Sequence, residues 1–356
     1  MVGQRTPDPH SAGPRTDGEP GVDPIRIGAR TSPLARAQAD QVAGWLQARG
    51  QATEFVGITT SGDVDQRALT QIGGTGVFVG AVREALYDGR IDVAVHSLKD
   101  LPTAPSAGLE LAAHPPREDT RDVLVGRTLD TLADGDRIGT GSPRRALQLL
   151  ELAERLGIAL EPVEIRGNVD TRIGRAAAGE VDAVVLAAAG LRRLGRIELE
   201  ESDKYANDSR TVVSGLPAHV LSLTDMVPAP GQAALGLEIH QSLSESKQAA
   251  VRALDDPGTR AETLVERAFL ATLEAGCTAP VGARADVTGV RGRDLDLTLR
   301  VVIGRTVLNN LSESTNTVSP LRRRLSGTTT DPGQFGANAA AAILDELRTP
   351  QRSRRS

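Results

Sequence analysis

A single cysteine, Cys277, stands in a chain of 356 residues, so the sequence offers neither an internal disulfide framework nor a cluster of thiolate metal ligands. Aromatic residues are nearly as scarce, at 2%. That excludes a nucleic-acid surface built by stacking bases on interleaved Phe, Tyr and Trp. The five histidines (His10, His96, His114, His219 and His240) show no metal-ligand spacing, and no metal is expected. A formal net charge of −5 gives no global attraction to nucleic acid, so any anion site has to come from local arginine placement. No apolar run approaches the roughly 20 residues of a membrane span. The N-terminus lacks the basic start and apolar run of a secretory signal. The expectation is a cytosolic enzyme acting on a small molecule, with no nucleic-acid and no membrane partner. Nothing suggests an obligate interface, so a monomer is expected.

What is present reads as an ordinary soluble chain, 39% hydrophobic and 24% charged, long enough for two or three domains. Residues 1–23 are rich in Pro, Gly, Asp, Arg and Thr and read as a disordered tail, as do residues 349–356. Between them one pattern occurs twice. Ile25-Arg26-Ile27-Gly28 leads to Ser32-Pro33 and a helical run; Arg137-Ile138-Gly139 leads to Ser142-Pro143 and another. Serine before proline is a helix start, with the Ser oxygen capping free amides and proline fitting the first turn. A second echo joins Gly89-Arg90-Ile91-Asp92-Val93 with Gly179-Glu180-Val181-Asp182-Ala183. The fold expected is α/β: two related lobes with mainly parallel sheets facing each other across a cleft, followed by a small α+β domain. Lobe 1 takes 24–118 and 227–240, lobe 2 takes 119–226, and the C-terminal domain 244–348. A helix from Thr259 to Ala275 is expected to stop at Gly276 in the left-handed conformation.

Both Ser-Pro helix starts offer free amides at a positive dipole end, suited to a carboxylate or phosphate. Six arginines share a placement near predicted strand ends: Arg30, Arg144, Arg145, Arg166, Arg172 and Arg193. Each alone reads as a surface charge, but together they read as partners for carboxylates, which planar guanidiniums bind through paired hydrogen bonds. Lys99 and Asp100 follow the apolar strand Ile91–Val95 directly. They read equally as a general acid/base site and as a helix cap with a surface ion pair. Cys277, just past a helix end where the dipole disfavours a thiolate, reads as an inert thiol or a permanent attachment point rather than a conventional nucleophile. Ile72-Gly73-Gly74-Thr75-Gly76 lacks the ending of a phosphate loop and reads as a flexible cover.

Seven strings, in order, carry a resemblance: ARTSPLA at 29–35, VAVHSLKDLP at 93–102, GTGSPRR at 139–145, IRGNVDTR at 165–172, AAAGLRRLG at 187–195, PAPGQAALGLE at 228–238 and EAGCTAPVG at 274–282. From about Ile25 to Leu347 the chain resembles the porphobilinogen deaminases (hydroxymethylbilane synthases). The resemblance implies three α/β domains, the first two like periplasmic-binding-protein lobes. It implies a transferase of haem biosynthesis that condenses four porphobilinogen molecules head to tail with loss of ammonia. It implies a dipyrromethane cofactor in thioether linkage to Cys277, and Asp100 as the catalytic carboxylate near pyrrole nitrogen. It implies that Arg30, Ser32, Lys99, Thr140, Ser142, Arg144, Arg145, Arg166, Arg172 and Arg193 bind acetate and propionate side chains, with Gln38 and Gln232 as weaker matches.

The chain departs from the family pattern at Thr75, where lysine is common and Gln71 precedes the loop, and at Ala233, where glycine is usual. Its N-terminal tail is also longer than the family core needs. A two-lobed solute-binding protein and a cysteine-dependent acyl transferase are the competing classes; a third domain and the position of Cys277 count against them.

Overall fold

The computed structural model describes residues 23–59, 76–198, 209–276, 279–304, 307 and 320–348. The two expected tails (apart from Asp23), the glycine loop up to residue 75, and Cys277 lie outside the described residues.

The first lobe opens with β1 (Ile25–Arg30), α1 (Pro33–Gln47) and β2 (Thr53–Ile58), then α2 (Gly76–Tyr87), β3 (Val93–Ser97) and β4 (Leu109–Ala113). Ser32 caps α1 by accepting from the Ala35 amide at 3.4 Å, and Pro33 occupies the first turn. One face of α1 buries Ala39, Val42 and Leu46. The chain crosses into a second lobe through β5 (Asp122–Val125), β6 (Asp136–Gly139), α3 (Pro143–Leu156), β7 (Leu160–Val163), α4 (Val169–Ala177), β8 (Ala183–Ala187), α5 (Ala188–Arg193), β9 (Ser209–Val213) and β10 (Leu216–Val220). It then returns as β11 (Leu235–His240), which enters the first sheet.

The first sheet runs β2-β1-β3-β11-β4 and the second β7-β6-β8-β5-β10-β9. Both are mixed, and four of the five strands of the first and four of the six of the second share one direction, in keeping with the mainly parallel sheets expected. β1 pairs in parallel with β2 and β3, while β11 lies antiparallel between β3 and β4. β6 pairs in parallel with β7 and β8, while β5 lies antiparallel between β8 and β10 and β9 is antiparallel to β10. The reason is connectivity. Strands that follow a helical crossover pair in parallel, whereas β5 and β11 enter their sheets straight from the crossings between lobes. A correction concerns Ser142, which precedes α3 as Ser32 precedes α1 but makes no side-chain cap bond. Its own amide donates to Thr140 Oγ1 at 3.2 Å instead.

After β11 come α6 (Glu245–Arg252), α7 (Pro257–Thr272), the antiparallel sheet β12 (Val281–Arg291), β13 (Asp294–Ile303) and β14 (Leu321–Thr329), and α8 (Pro332–Arg348). α6 buries Val251 in the core of the first sheet, so the third domain's own core begins with α7 rather than at residue 244. That core packs Phe269, Leu299, Val301 and Ile343 between the two helices and the sheet. α7 ends at Thr272, and the left-handed residue beyond it is Glu274 (φ 52°), not Gly276. The turn closes earlier than the glycine because the Glu274 amide already donates back to the Ala271 carbonyl at 3.0 Å. Among the described residues no helix is long and apolar enough to cross a membrane.

One buried side chain fastens the third domain to both crossings. Glu266 of α7 accepts from Arg117 Nη1 and Nη2 at 2.8 Å each, from the Gly231 amide at 2.7 Å and from the Ala285 amide at 2.9 Å. Arg117 lies in the outgoing crossing and Gly231 in the returning one. Replacing Glu266 by alanine strands a buried guanidinium and two buried amides. Glu266→Ala should therefore lose about 3–5 kcal/mol of stability, read from urea denaturation. Arg252→Ala, which breaks only an exposed pair with Glu110, should leave the midpoint in place.

Candidate active-site cleft

A cavity of about 860 Å³ opens between the two lobes, walled by the carboxyl ends of strands from both sheets. This is where an α/β sheet gathers ligands, because strand ends and helix N-termini leave backbone groups free there. From lobe 1, β1 delivers Arg30, the start of α1 brings Ser32 and Gln38, and a single 3₁₀ turn at Leu98–Asp100 after β3 brings Lys99 and Asp100. From lobe 2 come Arg145 at the start of α3, Arg166 after β7, Arg172 in α4 and Arg193 at the end of α5.

The 3₁₀ turn is held from behind by the returning crossing. The Leu98 amide donates to the Ala234 carbonyl at 3.0 Å. Gly231 (φ 73°) lies so close that a Cβ there would meet the Lys99 nitrogen at 3.2 Å, which together with its left-handed backbone accounts for glycine at this point. Ala233 is also left-handed (φ 71°), a conformation that costs a non-glycine residue about 1–2 kcal/mol. Its carbonyl accepts from Arg193 Nη2 at 2.9 Å, so the strained residue carries a fixed partner across the cleft.

Under the floor lies Asp122, at the head of β5 and wholly buried. It accepts from Arg144 Nη2 at 2.9 Å, Arg145 Nη2 at 2.8 Å and Gln232 Nε2 at 2.9 Å. Burial pushes its carboxyl up, and the two guanidiniums outweigh this and hold it well below the ordinary carboxylate range. Burial likewise lowers Arg144. Sequence reading missed Asp122, although a lone acid opening the apolar run Asp122-Val123-Leu124-Val125 was a signal.

The structure thus brings together Arg30, Ser32, Gln38, Lys99, Asp100, Arg145, Arg166, Arg172 and Arg193. It does not bring Thr140, Ser142, Arg144 or Gln232 to the wall; among the described residues these lie behind it or to one side. Arg144 spends Nη1 on the Val227 carbonyl and Nη2 on Asp122. Gln232 gives its amide to Asp122 and the Thr120 carbonyl. Both support Arg145 rather than face the cavity. Cys277 is outside the described residues, but the segment just after it is not. A Cβ on Gly282 would meet the carbonyls of Val227 and Pro228, and the Ala283 amide donates to Pro228, so this segment rests on the returning crossing.

The wall carries more positive than negative charge. Lys99 is half-buried by surface, yet desolvation, with Arg145 and Arg144 adding to it, pushes its ammonium down to about 8 against the pull of Asp100 and Asp122. Burial pushes Arg193 down to about 10 and lowers Arg172. Of the acids on the wall, Glu164 already takes Arg166 at 2.8 Å and Asp170 takes Arg196 at 2.8 Å from outside the cavity. Cations desolvated by burial and, among the described residues, outnumbering the acids on the same wall suit a molecule carrying several carboxylates. Asp100, the remaining acid, lines the same cavity, and a carboxylate there is chemically suited to accept from N–H groups or to balance a cation. A second cavity of about 240 Å³ adjoins the first, sharing Arg30, Ser32, Gln38, Ser97 and Asp100, and reaches back to His96.

Residues 25–248 match the family described as porphobilinogen deaminase, dipyromethane cofactor binding domain, and residues 261–345 match the porphobilinogen deaminase C-terminal domain. The chain is 51% identical over 286 residues to porphobilinogen deaminase 1 of Streptomyces coelicolor, covering 79% of this chain and 84% of that one. It is 46% identical over 267 residues to the porphobilinogen deaminase of Thermobifida fusca, covering 74% and 77%. Among solved structures it is similar to a periplasmic substrate-binding protein of an ABC transporter from Coxiella burnetii, at 17% identity and a TM-score of 0.36, covering 66% of this chain and 94% of that one.

The depressed ammonium of Lys99 has two consequences of opposite sign. The unfolded chain holds more protons than the folded one between about pH 8 and the ordinary lysine value, so this group's contribution to stability rises with pH through that window. A carboxylate held by Lys99 is lost in the same direction. The cleft's affinity for a pyrrole bearing two carboxylates, measured by calorimetry, should fall above pH 8 by about 1.5–3 kcal/mol, the value of a charge-assisted hydrogen bond. In Lys99→Gln this step should be absent.

Proposed function

The chain belongs to the porphobilinogen deaminase family, and we propose that the cleft between its lobes is where four porphobilinogen molecules are joined head to tail, with release of ammonia, into hydroxymethylbilane. It is a transferase of tetrapyrrole (haem) biosynthesis and works on a dipyrromethane cofactor. The observation that carries the assignment of the site is the desolvated surplus of positive charge facing one carboxylate, Asp100, in a single cavity.

The residues present suit such a cofactor. Each pyrrole brings an acetate and a propionate, and Arg30, Lys99, Arg145, Arg166, Arg172 and Arg193 supply the cationic partners, with the amides at Ser32 completing the set. When bound, the dipyrromethane supplies the free pyrrole α-carbon to which each new ring is joined. Asp100 accepts from pyrrole N–H and stabilises the positive charge that develops on porphobilinogen as ammonia departs. A carboxylate fixed beforehand at that point needs no reorganisation when the charge appears. Arg144 and Gln232 act at one remove, by holding Asp122 and through it Arg145.

Cys277 is the attachment point in this reading, through a thioether. Two facts support it: no other cysteine exists in the chain, and the segment after it rests on the crossing that backs Lys99. The lobes in this reading are 24–118 with 227–240, and 119–226; the protein acts as a cytoplasmic monomer.

Two measurements test the assignment. Intact mass of the purified protein should exceed the chain mass by two linked pyrroles, and Cys277→Ser should fold without that addition. Asp100→Asn, once shown to be folded and loaded, should slow single-turnover deamination about 100- to 1000-fold, equivalent to about 2.7–4 kcal/mol. Asp100→Glu, which keeps the charge but displaces it, should be impaired less. A loaded Asn variant at near wild-type rate would reduce Asp100 to a structural group.

A further inference from the structure

Glu238 is an acid in the middle of the apolar strand β11, and nothing in the cleft uses it. β11 runs antiparallel to β3, with Glu238 opposite Ala94 and Gly236 opposite His96. Glu238 and His96 are therefore diagonal neighbours on one face of the sheet. α2 packs over that face, and its Arg83 grips the carboxylate with both arms, Nε to Oε2 at 3.0 Å and Nη2 to Oε1 at 2.7 Å. His96 Nε2 stands 3.1 Å from Oε2, at ion-pair distance though off the line of a straight hydrogen bond. Burial pushes the Glu238 carboxyl up, and His96 and Arg83 outweigh this to bring it down to about 2. It is a permanent anion.

The other side of the His96 ring borders space. With Asp100 and Gln38 it lines the smaller cavity, which adjoins the cleft and shares lining residues with it. With the Glu238 carboxylate its neighbour at 3.1 Å, a neutral ring that keeps its proton at Nε2 has its lone pair at Nδ1. A histidine braced by a buried carboxylate beside a reaction chamber is built to take a proton and give it back. The charged groups around it are Glu238 from β11, Arg83 from α2, Arg30 at the end of β1 and Asp100 beyond β3.

We infer that His96, braced by Glu238, carries the proton of the condensation. The inference rests on the deaminase reading above. Ammonia leaves porphobilinogen with the electron pair of its C–N bond, and the cation left behind forms the new carbon–carbon bond. The attacked ring then holds one hydrogen too many at its α-carbon, together with one positive charge. Nδ1 takes that proton as the C–H electron pair returns to the ring. The imidazolium, paired with Glu238, passes the proton to the departed ammonia, which leaves as ammonium. One proton enters the ring and one leaves in each cycle, with no oxidant or reductant.

His96→Gln keeps an amide donor toward Glu238 and tests the idea. Cofactor loading by intact mass, and KM for porphobilinogen, should stay within threefold of wild type, while kcat falls at least 100-fold, in the range of general acid–base catalysis. The loss of wild-type kcat at low pH should track the titration of the His96 ring followed by NMR, should vanish in the variant, and added imidazole should restore part of the rate. A loaded variant with unchanged kcat, or one that keeps the wild-type acid limb, overturns the proposal. If the variant does not fold, the wild-type comparison decides: an acid limb that departs from the His96 titration overturns it equally. A wild-type protein lacking both the two-pyrrole mass and porphobilinogen turnover would refute the deaminase reading instead.

Discussion

An ionised carboxylate withdrawn from water is sustained only where its charge is matched and its lone pairs are filled. Asp122 meets both conditions with residues from three separate stretches of chain. It sits where the chain first enters lobe 2, its two arginines open the helix that borders the cleft, and its glutamine belongs to the stretch that leads back to lobe 1. The position of Arg145 at the wall follows from this knot, because one end of its guanidinium is tied to Asp122 and the other to the Val185 carbonyl. Glu266 repeats the device on the far side of the crossings, where the third domain docks. The cleft is thus backed by two buried anions that do not line it.

The wall shows the opposite condition. Lys99, Arg172 and Arg193 are pushed toward their neutral forms because burial strips water from them, and among the described residues the acids nearby do not outweigh it. Such a site is costly to hold without a ligand and gains from any polycarboxylate that enters. The left-handed Ala233 belongs to the same economy, since its carbonyl is what Arg193 holds. Among the described residues, then, the buried acid beneath the floor is matched by its arginines, while along the wall cations outnumber acids.

Much of this was legible in the sequence, and the limits have physical reasons. The Ser-Pro starts, the two lobes and the return of the chain to lobe 1 could be read because capping chemistry and apolar runs are local. Lys99 and Asp100 could be read because they follow a strand directly. Arg144 and Arg145 could not be told apart by spacing: they are adjacent, and only the partner across the fold decides which one reaches the cavity. The reversed places of β5 and β11 within otherwise mainly parallel sheets were not foreseen, because they look like any other apolar strand, while their orientation depends on which crossing delivers them. The stop at Glu274 was misassigned to Gly276 because a glycine two residues on was the stronger local signal. Asp122, Glu238 and Glu266 escaped notice as single acids whose partners lie far away in sequence.

The place of β11 in the first sheet bears on how the chain is made. It lies between β3 and β4, with both neighbours complete long before it. About 120 residues separate the end of β4 from the start of β11. At a ribosomal rate of about 5–20 residues per second, these two strands wait roughly 6–24 s for the strand that joins them. During that interval the nascent first lobe presents unpaired edges of almost wholly apolar strands, a template for wrong partners. Lobe 2 must be threaded out and back before lobe 1 can close. The two lobes are alike in the finished protein but unequal in its synthesis: the first to leave the ribosome is the last to be completed.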